Sequence, residues 1–271
     1  AVGALAKAVN YGIWLNEPEG SAPVFKDIKR EEASSVVARA LMGGGRWLTS
    51  AETQSLLRCY GIELVKTVLV KTPAEAAEAA AEIGGKIALK AEAIGLVHKT
   101  EAHAVKLGLA GKDAILKAAT EMNEDLTKQG LELSGFLVQP MIPEGIEMLV
   151  GITNDSIFGP ILACGAGGIM VELLKDVSVR VTPLTDKDAH EMVSSLKTFK
   201  LFTGYRGGPP HDAASLEELI LRVSALVEDI PEIAELDLNP VIVLQKGIAV
   251  VDARVRIAMP QPPLPLSAKK R

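Results

Sequence analysis

The chain has 271 residues, 48% apolar and 23% charged, with 29 Lys and Arg against 34 Asp and Glu for a net charge of −5. This is the composition of a folded protein of one large or two modest domains, at about 150 residues per domain, and it excludes a disordered or collagen-like chain. The acidic balance lacks the basic field that draws nucleic acid, aromatic residues at 4% make no stacking platform, and no apolar run reaches the roughly 18 residues of a membrane span, so no nucleic-acid or membrane partner is expected.

Taken in chain order, the sequence opens on Ala1 without a methionine, and AVGALAKAVNYGIW reads as a small-residue helix over 1–14. It has neither the arginines of a transit peptide nor a signal cleavage site, so a piece of a longer polypeptide is expected. Residues 16–27, with Pro18, Gly20, Ser21 and Pro23, read as a linker before a short helix over 30–42 that Gly43-Gly44-Gly45 ends. Thr49-Ser50-Ala51-Glu52 is a capping box whose hydroxyl and carboxylate can satisfy the free N–H groups of a helix start; that helix runs to about Tyr60. A strand over 64–70 follows. Thr72, Pro73 and Glu75 open a second capped helix, rich in alanine, which Gly84-Gly85 stops.

Strands are expected over 87–90, 105–109 and 135–139, with a polar loop over 91–103 and a helix over 113–129; Pro140 ends the last strand. A hairpin pairs 147–152 with 161–164, turning at Asn154-Asp155 and Gly159-Pro160. Gly165-Ala166-Gly167-Gly168, a strand over 177–181 and helices over 185–196 and 213–229 come next. A second hairpin, 235–244 with 248–255, turns at Gln245-Lys246-Gly247, and the Pro-rich stretch after Met259 reads as an extended tail. Neither GxGxxG nor GxxxxGK[ST] is present, so a nucleotide would be held by another device.

In Glu235-Leu-Asp237-Leu-Asn239 polar and apolar residues alternate, which on a strand puts Glu235, Asp237 and Asn239 on one face. Hairpin pairing would set Asn239 nearly opposite Asp252, and oxygen-only ligands suit Mg²⁺, which completes its shell with water and phosphate. The same spacing fits a solvated strand face. Lys90, at the end of IALK, can meet a nucleotide phosphate or be a strand-end surface lysine. His98, beside Lys99 and Thr100, can carry a phosphoryl group or be a solvated loop residue. The glycines 165–168 can offer N–H groups to phosphate or merely serve a tight turn. Glu172 is a candidate to bind a metal or orient another group, and Gln139-Pro140-Met141 ends a strand where a hinge backbone can pair with an adenine edge. Arg180 and Arg206 can meet anions or make surface salt bridges. Cys59 and Cys164 show no CxxC spacing; both read as buried apolar residues of a chain in the reducing cytoplasm.

LTSAETQSLLRCYGI, IALK, HKT, LVQPMI, GITNDSIFGPILACGAGGIMVELLKDV, TGYRGGPP, ELDLNPVIV and VVDARV stand in an order that resembles the nucleotide-binding part of NDP-forming acyl-CoA synthetases, the ADP-forming acetate–CoA ligases related to the succinyl-CoA synthetase β chain. The resemblance covers about 48–257 and implies an α/β protein with α+β lobes, the ATP-grasp fold, with two lobes and the nucleotide between them. It implies a domain over 49–258, with lobes at about 49–140 and 141–258. Residues 1–48 would be the end of an upstream CoA-ligase domain and its linker, and 259–271 a flexible tail.

It also implies roles. His98 matches a swinging histidine that carries phosphoryl between ADP or ATP and the synthetase, and Asp237 matches the acidic residue that orients it. Lys90 matches a phosphate-binding lysine, and Val138, Gln139, Pro140 and Met141 match the adenine hinge. Asn239 and Asp252 match Mg²⁺ ligands, and Glu172 matches an acidic residue of the site. The partners implied are CoA-binding and ligase domains, in the same longer chain or as a separate α subunit, and an oligomer is compatible with this. After HKT the family often has Asp-x-Gly-Gly-Val, where this chain has Glu101-Ala102-His103-Ala104-Val105. Related domains also occur as catalytically idle regulatory modules of protein lysine acetyltransferases; His98, Asp237, Asn239 and Asp252 favour the synthetase.

Overall fold

The computed structural model describes residues 2–93, 104–168 and 175–260. The chain forms two compact units: Glu63–Gly145 with Ala249–Asp252, and the remaining segments Ala1–Ile62, Ile146–Ile248 and Ala253–Arg271.

Along the first segment lie helices α1 (Val2–Leu15) and α2 (Arg30–Leu41), strand β1 (Arg46–Trp47) and helix α3 (Ser50–Arg58). The expected capping box at α3 forms. Thr49 Oγ1 accepts from the Glu52 N–H at 3.3 Å, and the Glu52 carboxylate accepts from the Thr49 N–H at 2.9 Å. Arg46 adds two bonds, 2.7 and 2.8 Å, to that carboxylate, and chiefly through them its pKa falls to about 2.

In the smaller unit, β2 (Val68–Val70), α4 (Pro73–Ile83), β3 (Ile87–Ala93), β4 (Val105–Leu109), α5 (Lys112–Lys128) and β5 (Leu133–Pro140) build a four-stranded antiparallel sheet in the order β2-β5-β3-β4. Thr72 and Glu75 cap α4, with Pro73 in its first turn where no N–H is needed. Ala76, Ala77, Ala79 and Ala80 give α4 a buried face of small side chains that lets α5 approach, and both helices cover a core of Ile87, Leu89, Ile115, Met122, Phe136 and Val138. The strand expected over 64–70 is shorter: β2 starts at Val68, and Leu64 makes an isolated bridge to Val250.

The larger unit continues with β6 (Ile146–Asp155), β7 (Gly159–Ala166), β8 (Val177–Val181), α6 (Asp186–Ser194), α7 (Phe199–Phe202), α8 (Ala213–Asp229), β9 (Ile233–Val243), β10 (Ile248–Val250), whose last two residues count with the smaller unit, and β11 (Ala253–Ile257). Six of its strands follow the order β1-β11-β9-β6-β7-β8. The β6–β7 hairpin forms as expected, its turn held by Asp155 Oδ1, which accepts from Ile157 and Phe158 N–H groups at 2.7 and 3.0 Å. Along β6 alternate residues Ile146, Met148, Val150 and Ile152 are buried, and α6 and α8 pack against this unit's sheet. Helix α3 belongs to this unit; it buries Leu56 and Leu57 and touches α2 and β11.

At the end of the chain the expected continuous strand 248–255 is broken. β10 ends at Val250 and β11 starts at Ala253, while the turn forms through a Leu244 N–H to Gly247 carbonyl bond of 3.0 Å. Asp212 supports that turn: it accepts from the Gly247 N–H at 2.8 Å and from the Ser215 N–H at 3.1 Å, so one carboxylate caps α8 and fixes the loop. These bonds, the Gly247 one foremost, hold its carboxyl below the ordinary aspartate range.

Candidate functional site

Lys90 is the clearest departure from a surface reading. It lies inside β3, opposite Val105 of β4 and Leu137 of β5, and is only 6% exposed. A buried ammonium must be matched by acceptors. Its Nζ lies 3.7 Å from an Asp252 carboxylate oxygen and 3.5 Å from the Val251 carbonyl. Both acceptors come from the break between β10 and β11. Asp252 remains partly open, its side chain 31% exposed.

Gln139 meets the same break. It is buried on β5, and its amide Nε2 donates to Thr67 Oγ1 at 2.7 Å and to the Val251 carbonyl at 3.1 Å. Because a carbonyl can only accept, the amide orientation is fixed: the NH₂ must face Val251. Oε1 is then a buried acceptor with no partner among the described residues. Thr67 in turn donates to the Val65 carbonyl at 2.9 Å, and the Val65 N–H donates to the Val250 carbonyl at 2.9 Å.

The other residues expected at the adenine hinge lie along the same strand. Val138 is fully buried, paired with Val68 on one side and Leu89 on the other. Pro140 has no N–H to offer. The Met141 N–H is committed to the Lys86 carbonyl at 2.9 Å, and the residue is 37% exposed. A base edge read by the Met141 amide would have to replace that bond.

In the larger unit, β9 keeps the expected alternation: Leu236 and Leu238 are buried, Asp237 and Asn239 exposed, and the Asn239–Pro240 peptide is cis. Asp237 stands opposite Gly151 of β6 and Arg254 of β11. One step along, Glu235 is opposite Arg256 and bonded to it at 2.6 and 3.0 Å. The β9–β11 ladder begins at Ala253 with Leu238, the chain neighbours of Asp252 and Asn239.

The glycine run is partly explained by packing. A Cβ on Gly165 would sit 2.7 Å from the Asp176 carbonyl and from Val177, so this glycine is required where β7 meets β8. Asp176 itself is buried and accepts from the Lys197 and Thr198 N–H groups at 2.8 and 2.7 Å and from the Thr198 hydroxyl. Burial opposes its ionisation, but these bonds prevail and hold its carboxyl low. Arg180 pairs with Glu191 at 3.5 Å, and both cysteines are buried. His98 and Glu172 lie outside the described residues.

Thr67, the Val251 carbonyl and the donor role of Gln139 escaped the sequence reading. Only the unsatisfied chemistry of a polar residue inside an apolar strand, LVQP, signalled them.

Taken unit by unit, the chemistry is of the kind that Mg²⁺ with a nucleotide calls for: in the smaller unit Asp252 offers a carboxylate and Lys90 a cation for phosphate, and in the larger unit Asn239 offers an amide oxygen on an exposed strand face, another hard donor. Among the described residues no cluster of three His, Cys, Asp or Glu occurs, which a metal that keeps water and phosphate ligands does not require. Among those residues, too, no helix is long and apolar enough to cross a membrane.

Residues 39–257 match the family described as ATP-grasp domain. The chain is 36% identical over 264 residues to the ADP-forming 4-hydroxybutyrate–CoA ligase of Nitrosopumilus maritimus, a match over 94% of this chain but 37% of that protein. It is 37% identical over 229 residues to the β subunit of ADP-forming acetate–CoA ligase II of Pyrococcus furiosus, covering 83% of this chain and 97% of the subunit. Solved structures of the Ca. Korarchaeum cryptofilum dinucleotide-forming acetyl-coenzyme A synthetase 1 are similar at TM-scores of 0.77 and 0.71, each at 36% identity over 83% of this chain and 99% of theirs. The first was solved with coenzyme A, Ca-AMPCP and HgCl⁺; the second with coenzyme A and Mg-AMPPCP, its phosphohistidine segment pointing towards the nucleotide binding site. The chain belongs to the ATP-grasp domain family, and its relatives there include the β subunits of ADP-forming acetate–CoA ligases.

Proposed function

We propose that this chain is the nucleotide-binding part of an ADP-forming acyl-CoA synthetase, an acid–thiol ligase of the acetate–CoA ligase type. It would pass a phosphoryl group between ADP or ATP and a phosphohistidine, coupled elsewhere to acyl-CoA and phosphate giving acid and CoA. The observation that carries this reading is the buried Lys90 beside Asp252: a cation for phosphate and a carboxylate for a metal, 3.7 Å apart in one unit.

In this reading Lys90 binds phosphate oxygens, and Asn239 and Asp252 hold Mg²⁺. Bound there, the ion would neutralise charge on the transferring phosphates, the main requirement of phosphoryl transfer. Val138 to Met141 line the base, with the Gln139 acceptor lacking a donor until a ligand or water supplies one. His98 carries the phosphoryl group: its N–P bond breaks as a P–O bond to the terminal phosphate of ADP forms, and Asp237 orients the ring. Glu172 is kept as a further acidic residue of the site.

CoA-binding and ligase domains, in one longer chain or as an α subunit, would complete the enzyme, and the cytoplasm is its compartment. The names of the relatives support the synthetase and give no support to the regulatory alternative.

A binding measurement tests the reading. Mg·ADP at 100 times its dissociation constant should stabilise the chain by about 2.7 kcal/mol, and Asn239→Ala should remove the Mg²⁺ dependence of that gain. An Asn239→Ala chain with unchanged Mg²⁺ dependence would contradict the metal assignment.

A further inference from the structure

We propose that Gln139 is a positioning residue for Asp252, acting through the Val251 carbonyl, a role that rests on the nucleotide reading above and is distinct from reading the base. The break between β10 and β11 leaves the Val251 carbonyl outside the strand ladders, and two buried donors claim it: Gln139 Nε2 at 3.1 Å and Lys90 Nζ at 3.5 Å. Both donors are buried and would be costly to leave without acceptors, so their bonds to this one oxygen give the break one favoured place. Asp252 is the next residue. The peptide plane that carries the Val251 carbonyl also ends at the Asp252 nitrogen and Cα, so fixing that oxygen fixes the root of the Asp252 side chain.

The clamp is itself clamped. Gln139 Nε2 shares its second proton with Thr67 Oγ1 at 2.7 Å, Thr67 donates to the Val65 carbonyl, and the Val65 N–H closes back on the Val250 carbonyl. Every bond from Gln139 to Val250 therefore lies within the unit of residues 63–145 and 249–252. An acidic ligand for a cation needs such outer bonds, since a carboxylate on a loose loop loses affinity, about 10-fold or more when its supporting residues are removed.

Gln139→Glu separates the two roles, because it keeps the size and the acceptor while removing the NH₂ that faces Val251. If Gln139 serves only as an acceptor for a ligand, the variant is silent. If it positions Asp252, the carboxylate repels the Val251 carbonyl and the clamp opens. Two readouts on the whole chain decide. In the metal-free protein, exchange of the Val65 amide, which donates to Val250, should become about 10-fold faster. By calorimetry with ADP at varied Mg²⁺, the Mg²⁺ needed for half-maximal binding should rise about 10-fold.

Thr67→Val, which removes the second acceptor without placing a charge in the core, should shift both readouts in the same direction by less, and serves if Gln139→Glu does not fold. Unchanged Val65 exchange in both variants overturns the clamp. Faster exchange with unchanged Mg²⁺ dependence overturns the positioning role while the clamp stands. A wild-type chain that binds no ADP at any Mg²⁺ concentration overturns the nucleotide reading, and the positioning role with it.

Discussion

In the unit of residues 63–145 and 249–252, two polar residues, Lys90 and Gln139, are buried among apolar neighbours and tied by hydrogen bonds to one carbonyl. In the unit built on β6 and β9, Asp237 and Asn239 stand on an exposed strand face, placed by the pleat of the sheet. The first arrangement makes position depend on a network, so that removing one member disturbs the rest. The second sets the groups by backbone register on a face open to solvent. A Lys90 or Gln139 variant should therefore alter structure and binding together, whereas an Asp237 variant should alter chemistry with the fold unchanged.

The largest effect is expected from the core beneath the buried network. Phe136, fully buried on β5, is a neighbour in register of Val70 and Ala91. Phe136→Ala should cost about 3–5 kcal/mol, read as faster amide exchange along β3 and β5. An equal acceleration across β6 and β9 would break the contrast between the units.

A smaller effect is expected at Asp212. Its folded pKa is depressed, so its contribution is present above the ordinary aspartate pKa and is lost as pH falls through the folded value. Asp212→Ala should cost about 0.5–2 kcal/mol near neutral pH, and the difference from wild type in urea unfolding should shrink in acid. A penalty independent of pH would mean that the carboxylate charge does not hold the Gly247 turn.

Much of this architecture was legible in the sequence because it rests on local chemistry. Thr49 with Glu52 and Thr72 with Glu75 announce helix starts by bonds within four residues, and the alternation of ELDLN announces the face that carries Asp237 and Asn239. The break at Val251-Asp252 was not legible. IAVVDARV reads as an unbroken strand, and the donors that meet the carbonyl at its break, Lys90 and Gln139, lie more than a hundred residues away in sequence. The burial of Lys90 was hidden for the same reason: IALK ends like a surface strand, and only its pairing with both β4 and β5 places the ammonium inside. Helix α3 was expected to lead the first lobe by order along the chain, yet it packs with α2 and β11, because Leu56 and Leu57 find their apolar partners there. The metal and phosphohistidine roles came from resemblance, since neither Asn239 with Asp252 nor a lone histidine beside Lys99 and Thr100 determines them by spacing.

The most direct test is ATP formation from acyl-CoA, ADP and phosphate by this chain combined with a CoA-binding and ligase part, with His98→Ala and Asp237→Asn in parallel. ATP is expected with the wild-type chain, none with His98→Ala, and a strong loss with Asp237→Asn at unchanged folding. Full activity in the His98→Ala chain would contradict the phosphoryl-carrier role of His98.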